Sequence, residues 1–344
     1  MSGTGRPTVA VIGAGTIGLG WITLFLGHGL DVRVNSRRPE ARSVVLGGLR
    51  TFAPTLPGGA GLDPEELLER VTFEPDVARA VEGVDVVQEN APEDLPLKQE
   101  LYRLIGEAAP ARALLLSSTS TLLPDAMGER MKDSARLVVG HPFNSPHIVP
   151  LVEVVAGERT DPAAVTEAVD FYRSVDRTPV VLRRPIARFV ANRLQSALLQ
   201  ESIHLVREGV VTMEELDTVV TRSIGLRWAT IGPFHAFHLG GGEGGLRKWL
   251  GHLGVGLERS WAELGSPRMT EETIDALGTE AERLFGGTGY GDLCRERDLR
   301  HRAVLDALAA VGTEPGTATV GPRPDDPAPD RTATGRPGTG GASS

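Results

Sequence analysis

A single cysteine, Cys294, and three lysines (Lys98, Lys132 and Lys248) stand among 344 residues. One thiol excludes a disulfide framework and any zinc site built on cysteine, so a reducing, cytoplasmic setting is expected. Fixed positive charge is almost all arginine, and a net charge of -9 argues against nucleic acid or an anionic membrane as the principal partner. No charged residue falls between Arg6 and Asp31, yet this run is expected to be neither a membrane span nor a signal peptide. Gly13, Gly15, Gly18, Gly20, Gly27 and Gly29 punctuate it, and no small-residue cleavage site follows. Large apolar residues are almost missing from Gly312 onward. Such a tail buries too little surface to offset its ordering entropy, so 312–344 is expected to be disordered.

What is present begins with Val9-Ala10-Val11-Ile12-Gly13-Ala14-Gly15-Thr16-Ile17-Gly18, a short apolar strand running into GxGxxG. Gly13 permits a tight turn, Gly15 lets the backbone approach a pyrophosphate, and Gly18 lets the following helix pack closely. Thr16 and Ile17 open that helix, whose N-terminus faces the phosphates. A dinucleotide site is predicted.

About 20 residues further on, an NAD site presents an acid to the ribose 2′-hydroxyl. This chain has Asn35-Ser36-Arg37-Arg38 there, with Ser36 where the acid is expected. A hydroxyl and guanidinium groups can hydrogen-bond a 2′-phosphate that a carboxylate would repel. NADP (as NADPH) is therefore the preferred cofactor expected at Asn35, Ser36, Arg37 and Arg38, and NAD is the alternative. Asp31 lies too early to serve.

The first half alternates apolar runs with helical stretches, as a parallel sheet with crossover helices requires. Strands are predicted over 8–12, 31–34, 84–88, 113–117, 136–141, 151–155 and 178–181, with helices between, including Pro64 to Arg70. Beyond Pro185 the pattern turns helical, over 189–209, 212–224 and on to about 310. The predicted fold is α/β: a Rossmann-type, doubly wound parallel sheet over 1–186, then an all-helical domain over 187–311 for substrate and dimerisation. A helical domain so rich in Leu, Val and Phe predicts a homodimer.

Several motifs in order carry a family resemblance: the glycine motif, Val87-Gln88-Glu89-Asn90-Ala91-Pro92-Glu93, Gly140-His141-Pro142-Phe143-Asn144 and Phe189-Val190-Ala191-Asn192-Arg193. The chain resembles the 3-hydroxyacyl-CoA dehydrogenase family over all but its tail. Gly225-Leu226-Arg227-Trp228-Ala229 is similar to the branch holding gulonate and carnitine dehydrogenases and lambda-crystallin. The resemblance implies that His141 is the catalytic histidine and Glu153 its partner carboxylate. It implies too that Ser120 and Asn192 bond the substrate oxygen, and that Glu93 and Lys98 lie near the cofactor. An imidazole held by a carboxylate in one tautomer can pass a proton to or from a substrate oxygen. No metal is implied.

Two departures bear on the substrate. Arg188 stands where the family usually has glycine, and the region after the second strand lacks the lysines with which acyl-CoA enzymes meet their nucleotide. Arg227, with Trp228 beside it, suits a substrate carboxylate, because a guanidinium fork can form two parallel hydrogen bonds. In a chain with 5% aromatic residues, Trp228, Phe234, Phe237 and Trp249 suggest a broad, flat ligand. The leading expectation is an NADPH-dependent ketoreductase acting on a β-keto acid or ester, as in bacterial aromatic polyketide and antibiotic biosynthesis. The alternatives are an NAD-dependent hydroxy-acid dehydrogenase of gulonate or carnitine type, a 3-hydroxyacyl-CoA dehydrogenase, and a non-enzymatic crystallin-like protein.

Overall fold

A computed structural model describes residues 6–312. The predicted tail from Gly312 lies outside the described residues apart from Gly312 itself, whose left-handed φ of 71° ends the last helix.

One sheet is built from Thr8–Ile12 (β1), Asp31–Asn35 (β2), Val71–Glu74 (β3), Val86–Glu89 (β4), Leu114–Ser117 (β5), Leu137–Pro142 (β6), Leu151–Val155 (β7) and Thr178–Val181 (β8), in the order β3-β2-β1-β4-β5-β6-β7-β8. The alternation of strand side chains separates two cores. Val9, Val11, Val32 and Val34 pack on one face with Trp21, Phe25 and Tyr172, while Ala10, Ile12, Val87 and Leu115 pack on the other with Tyr102 and Ile105. Helix Thr16–Gly27 buries Trp21, Leu24 and Phe25 completely, each contributing about 1.5–3 kcal/mol.

The sheet departs from the sequence expectation in two places. Val71–Glu74 is a strand, not part of a helical stretch: it is a four-residue edge strand with only Val71 buried, too short to show a period. The sheet is also not wholly parallel, because β7 runs antiparallel to β6. A return over residues 143–150 replaces a crossover helix, and the resulting register sets His141 directly opposite Glu153.

Helices follow from Ala191–Arg207 to Tyr290–Val311. The last of these docks on the sheet domain, where buried Asp298 accepts from Ser145 Oγ at 2.9 Å and lies 3.2 Å from His147 Nε2. His147 is stacked on Phe52 at 4.4 Å between ring centroids, in keeping with a structural role. Among the described residues no helix is long and apolar enough to cross a membrane.

Candidate active site

The glycine motif makes an open cradle. Gly13 has a φ of +92°, and a Cβ on Gly18 would lie 2.0 Å from the Gly13 carbonyl oxygen, so neither position takes another residue without distortion. Gly15, by contrast, faces open space, with nothing within 4 Å of an added Cβ. It caps helix Thr16–Gly27 without any side-chain hydrogen bond, and no acidic residue occupies the first turn. Free N–H groups, a favourable helix dipole and room for close approach fit a pyrophosphate. Thr16 is exposed, whereas Ile17 packs partly against the core.

At the end of β2, Asn35 is buried and its Nδ2 donates to the carbonyls of Glu74 and Pro75, both at 3.0 Å, while its own carbonyl accepts from Gly13 N. Asn35 thus shapes the turn through its backbone and ties it to β3. Ser36 Oγ accepts from Arg38 N at 3.3 Å, and Arg37 and Arg38 are exposed.

The ends of β4 and β5 carry a network that the sequence did not reveal. Glu89 is fully buried and accepts from Lys98 Nζ at 2.7 Å, Ala91 N at 2.6 Å and Ser117 Oγ at 2.6 Å. Lys98, 1% exposed, spends its ammonium on Glu89 and the Ala91 carbonyl, so it braces the loop from within and does not lie open to a ligand. Glu93 gathers the next loop: one carboxylate oxygen accepts from Thr119 Oγ1 and Thr121 Oγ1, both at 2.6 Å, and from the N–H groups of Ser120 and Thr121. Partial burial opposes the charge on Glu93, but these hydrogen bonds and nearby Lys98 outweigh it and hold the carboxyl below its ordinary range. Ser120 is thereby fixed through its backbone, leaving its hydroxyl without a protein partner among the described residues.

His141 Nδ1 lies 2.8 Å from Glu153 Oε2 in a buried pair. A carboxylate can only accept, so Nδ1 carries a proton toward Glu153, and Nε2 has no protein partner among the described residues. Phe143 and Phe189 flank the ring at 4.8 and 5.3 Å between centroids. Gly140 precedes it because a Cβ there would fall 1.9 Å from Tyr172 Oη. The other oxygen of Glu153 accepts from the N–H groups of Val190 and Ala191 at 2.9 and 3.0 Å. Burial opposes the charge on Glu153, but the bonds from His141, Ala191 and Val190 prevail and keep its carboxyl below the ordinary value. One carboxylate thus orients the imidazole and anchors the helix on whose first turn Asn192 stands. These backbone donors are a feature that no side-chain motif could announce.

Arg188 and Phe189, at the approach to that helix, have φ values of 63° and 52°. Arg188 therefore occupies a conformation that suits the family's glycine, and its side chain is exposed. Arg227 and Trp228 sit on the exposed helix Ile224–Thr230; among the described residues no hydrogen bond or ion pair joins them to His141 or Glu153. His238 Nδ1 accepts from Leu246 N, a local bond between helices.

A dinucleotide cradle and a histidine–glutamate pair at the ends of neighbouring strands define an oxidoreductase acting on a CH–OH group with a nicotinamide cofactor. Residues 8–185 match the model of the 3-hydroxyacyl-CoA dehydrogenase NAD binding domain, and residues 189–283 match that of the 3-hydroxyacyl-CoA dehydrogenase C-terminal domain. The chain belongs to the 3-hydroxyacyl-CoA dehydrogenase family. It is 40% identical over 310 residues to an L-carnitine dehydrogenase of Streptomyces griseus, covering 90% of this chain and 91% of the relative. An L-carnitine dehydrogenase of Mesorhizobium japonicum is 38% identical, over 87% and 83% of the two chains. Among solved structures, the NAD+-dependent dismutase 5-formyl-3-hydroxy-2-methylpyridine 4-carboxylic acid 5-dehydrogenase is similar with a TM-score of 0.68 at 29% identity, over 89% of this chain and 99% of that one. A diketoreductase is similar with a TM-score of 0.59 at 25% identity, over 73% and 93%.

Proposed function

We propose that the protein interconverts a β-hydroxy carboxylate and its β-keto form, with an acid of the carnitine class as the leading substrate. The observation that carries this is the free Nε2 of His141, held in one tautomer by buried Glu153. A nicotinamide bound at the glycine cradle would accept or supply the hydride. His141 takes the alcohol proton in oxidation and returns it in reduction, and the Ser120 hydroxyl and Asn192 amide donate to the oxygen as its charge develops. Exposed Arg227 is the proposed carboxylate contact, with Trp228 beside it. The carnitine dehydrogenases at 40% identity favour this substrate class over the polyketide ketone expected first from the sequence.

One observation supports the ketoreductase as a second reading. Ser36, Arg37 and Arg38 offer no carboxylate to a ribose and two exposed guanidinium groups to a 2′-phosphate, which suits NADPH. The pyridine carboxylic acid acted on by one solved relative is also flat and acidic. Rates with carnitine and with aromatic β-keto acids, each with both cofactors, decide between the readings. Oxidation of carnitine with NAD is expected under the first. Under the second, NADPH is preferred with the ring-bearing substrate, and Ser36→Asp shifts the cofactor ratio toward NADH about tenfold, or 1.4 kcal/mol. Absence of turnover with every combination would overturn both.

The proposed working unit is a homodimer. Helices Ala191–Arg207 and Met213–Arg222 bury no residue within one chain, although Leu194, Leu199 and Val219 are apolar and 64%, 54% and 55% exposed. A helix of this length with an uncovered apolar stripe is completed by a second copy of the same surface. Light scattering is expected to give about twice 36.6 kDa, and Leu194→Asp to halve it. A wild-type monomer at micromolar concentration would exclude the dimer.

A further inference from the structure

We propose that the cavity between the sheet domain and helix Tyr290–Val311 binds a small oxyanion, a carboxylate or phosphate group, seated on Arg177. The cavity has a volume of about 680 Å³, within the range of small-molecule sites, and its lining includes none of His141, Glu153, Ser120 and Asn192.

Arg177 is 7% exposed. Its Nε donates to the Val175 carbonyl, and its Nη1 to those of Pro146 and Val149 at 3.0 and 3.2 Å. Nη2 makes no hydrogen bond to the protein among the described residues and is not sealed from solvent, and Arg177 lines the cavity. The neighbouring carboxylates are already engaged: Asp176 Oδ2 lies 3.1 Å from His28 Nε2, and Asp306 Oδ1 accepts from Arg302 Nε at 2.7 Å. Burial depresses the pKa of Arg177 to about 10, with only a partial counter-effect from Asp176. A buried guanidinium that lacks a carboxylate partner and keeps a free edge is a ready anion site.

Arg173 lines the cavity too, as does Arg302 of the C-terminal helix, which gives only its Nε to Asp306 among the described residues and keeps its two terminal nitrogens for an anion. Ala229 also lines the cavity, which brings helix Ile224–Thr230 to its edge. An occupied cavity therefore braces the helix that carries Arg227. That last link rests on the function proposed above, whereas anion binding itself does not.

The test is thermal unfolding of the full-length protein with saturating NADH, which fills the pyrophosphate cradle. Inorganic phosphate or acetate is titrated against chloride at constant ionic strength. A saturable rise of about 2 °C or more with either anion is expected, and the more effective one identifies the preferred group. Arg302→Met, at the cavity edge, should weaken the apparent affinity at least tenfold, and Arg177→Met should abolish the rise. Because Arg177→Met also breaks three carbonyl bonds and can impair folding, the Arg302 variant carries the decision. Arg227→Ala should keep the rise in full. No saturable rise, a rise unchanged in Arg302→Met, or a rise lost in Arg227→Ala would each overturn the proposal. None of these readouts depends on turnover, so failure here and failure of the proposed reaction are distinguishable.

Discussion

Replacing His141 with alanine is expected to lower turnover by about 10²- to 10⁴-fold while changing dinucleotide affinity less than about twofold. The difference follows from placement. The pyrophosphate cradle is made by the backbone between β1 and helix Thr16–Gly27, whereas His141 stands near the end of β6 with its side-chain Nε2 uncommitted among the described residues. Nothing in the cradle leans on the imidazole, so a fluorescence titration with NADH should hardly notice its loss. Glu153→Gln probes the same pair from the other side. An amide carbonyl can still accept from Val190 and Ala191, but its NH₂ then faces His141 Nδ1 and favours the wrong tautomer. Turnover should fall at least tenfold with the fold intact by circular dichroism. Equal losses of binding and turnover in His141→Ala would make the histidine structural.

The largest expected effect on stability comes from Lys98→Met. Glu89 is 0% exposed, and Lys98 is its only cationic partner among the described residues. Removing the ammonium strands a carboxylate among Ala91 N, Ser117 Oγ and Tyr102 Oη, three neutral donors, and breaking a buried pair this way costs about 3–5 kcal/mol. For a chain of this size the midpoint of thermal unfolding should drop on the order of 10 °C. Pairing Lys98→Met with Glu89→Leu removes both charges and should recover part of the loss. A single variant within about 1 °C of wild type would mean that the pair contributes nothing. Activity should suffer as well, since Glu93 and the Ser120 loop are built on the same strand ends.

How much of this was legible in the sequence depends on how local each feature is. GxGxxG could be read because its three glycines answer steric demands within a single turn, and the same demands reappear as the 2.0 Å approach at Gly18 and the open face of Gly15. Only family resemblance points to His141, Glu153, Ser120 and Asn192, since no spacing along the chain says that two residues twelve apart face each other. Val71–Glu74 escaped because a four-residue edge strand with one buried position has no period to detect. Glu89 passed unnoticed beside Glu93, although it is the buried member of the two. Which of two nearby acids turns inward depends on what lies across the sheet.

The chain's own letters determined the glycine cradle, the lack of an acid at positions 36–38 and the alternation of strands and helices, all of which arise between residues close together in sequence. The antiparallel return of β7, the burial of Lys98 against Glu89 and the tethering of the Asn192 helix to Glu153 were decided only when the sheet assembled. Register and burial depend on partners brought from far along the chain, and those partners exist only in the folded molecule.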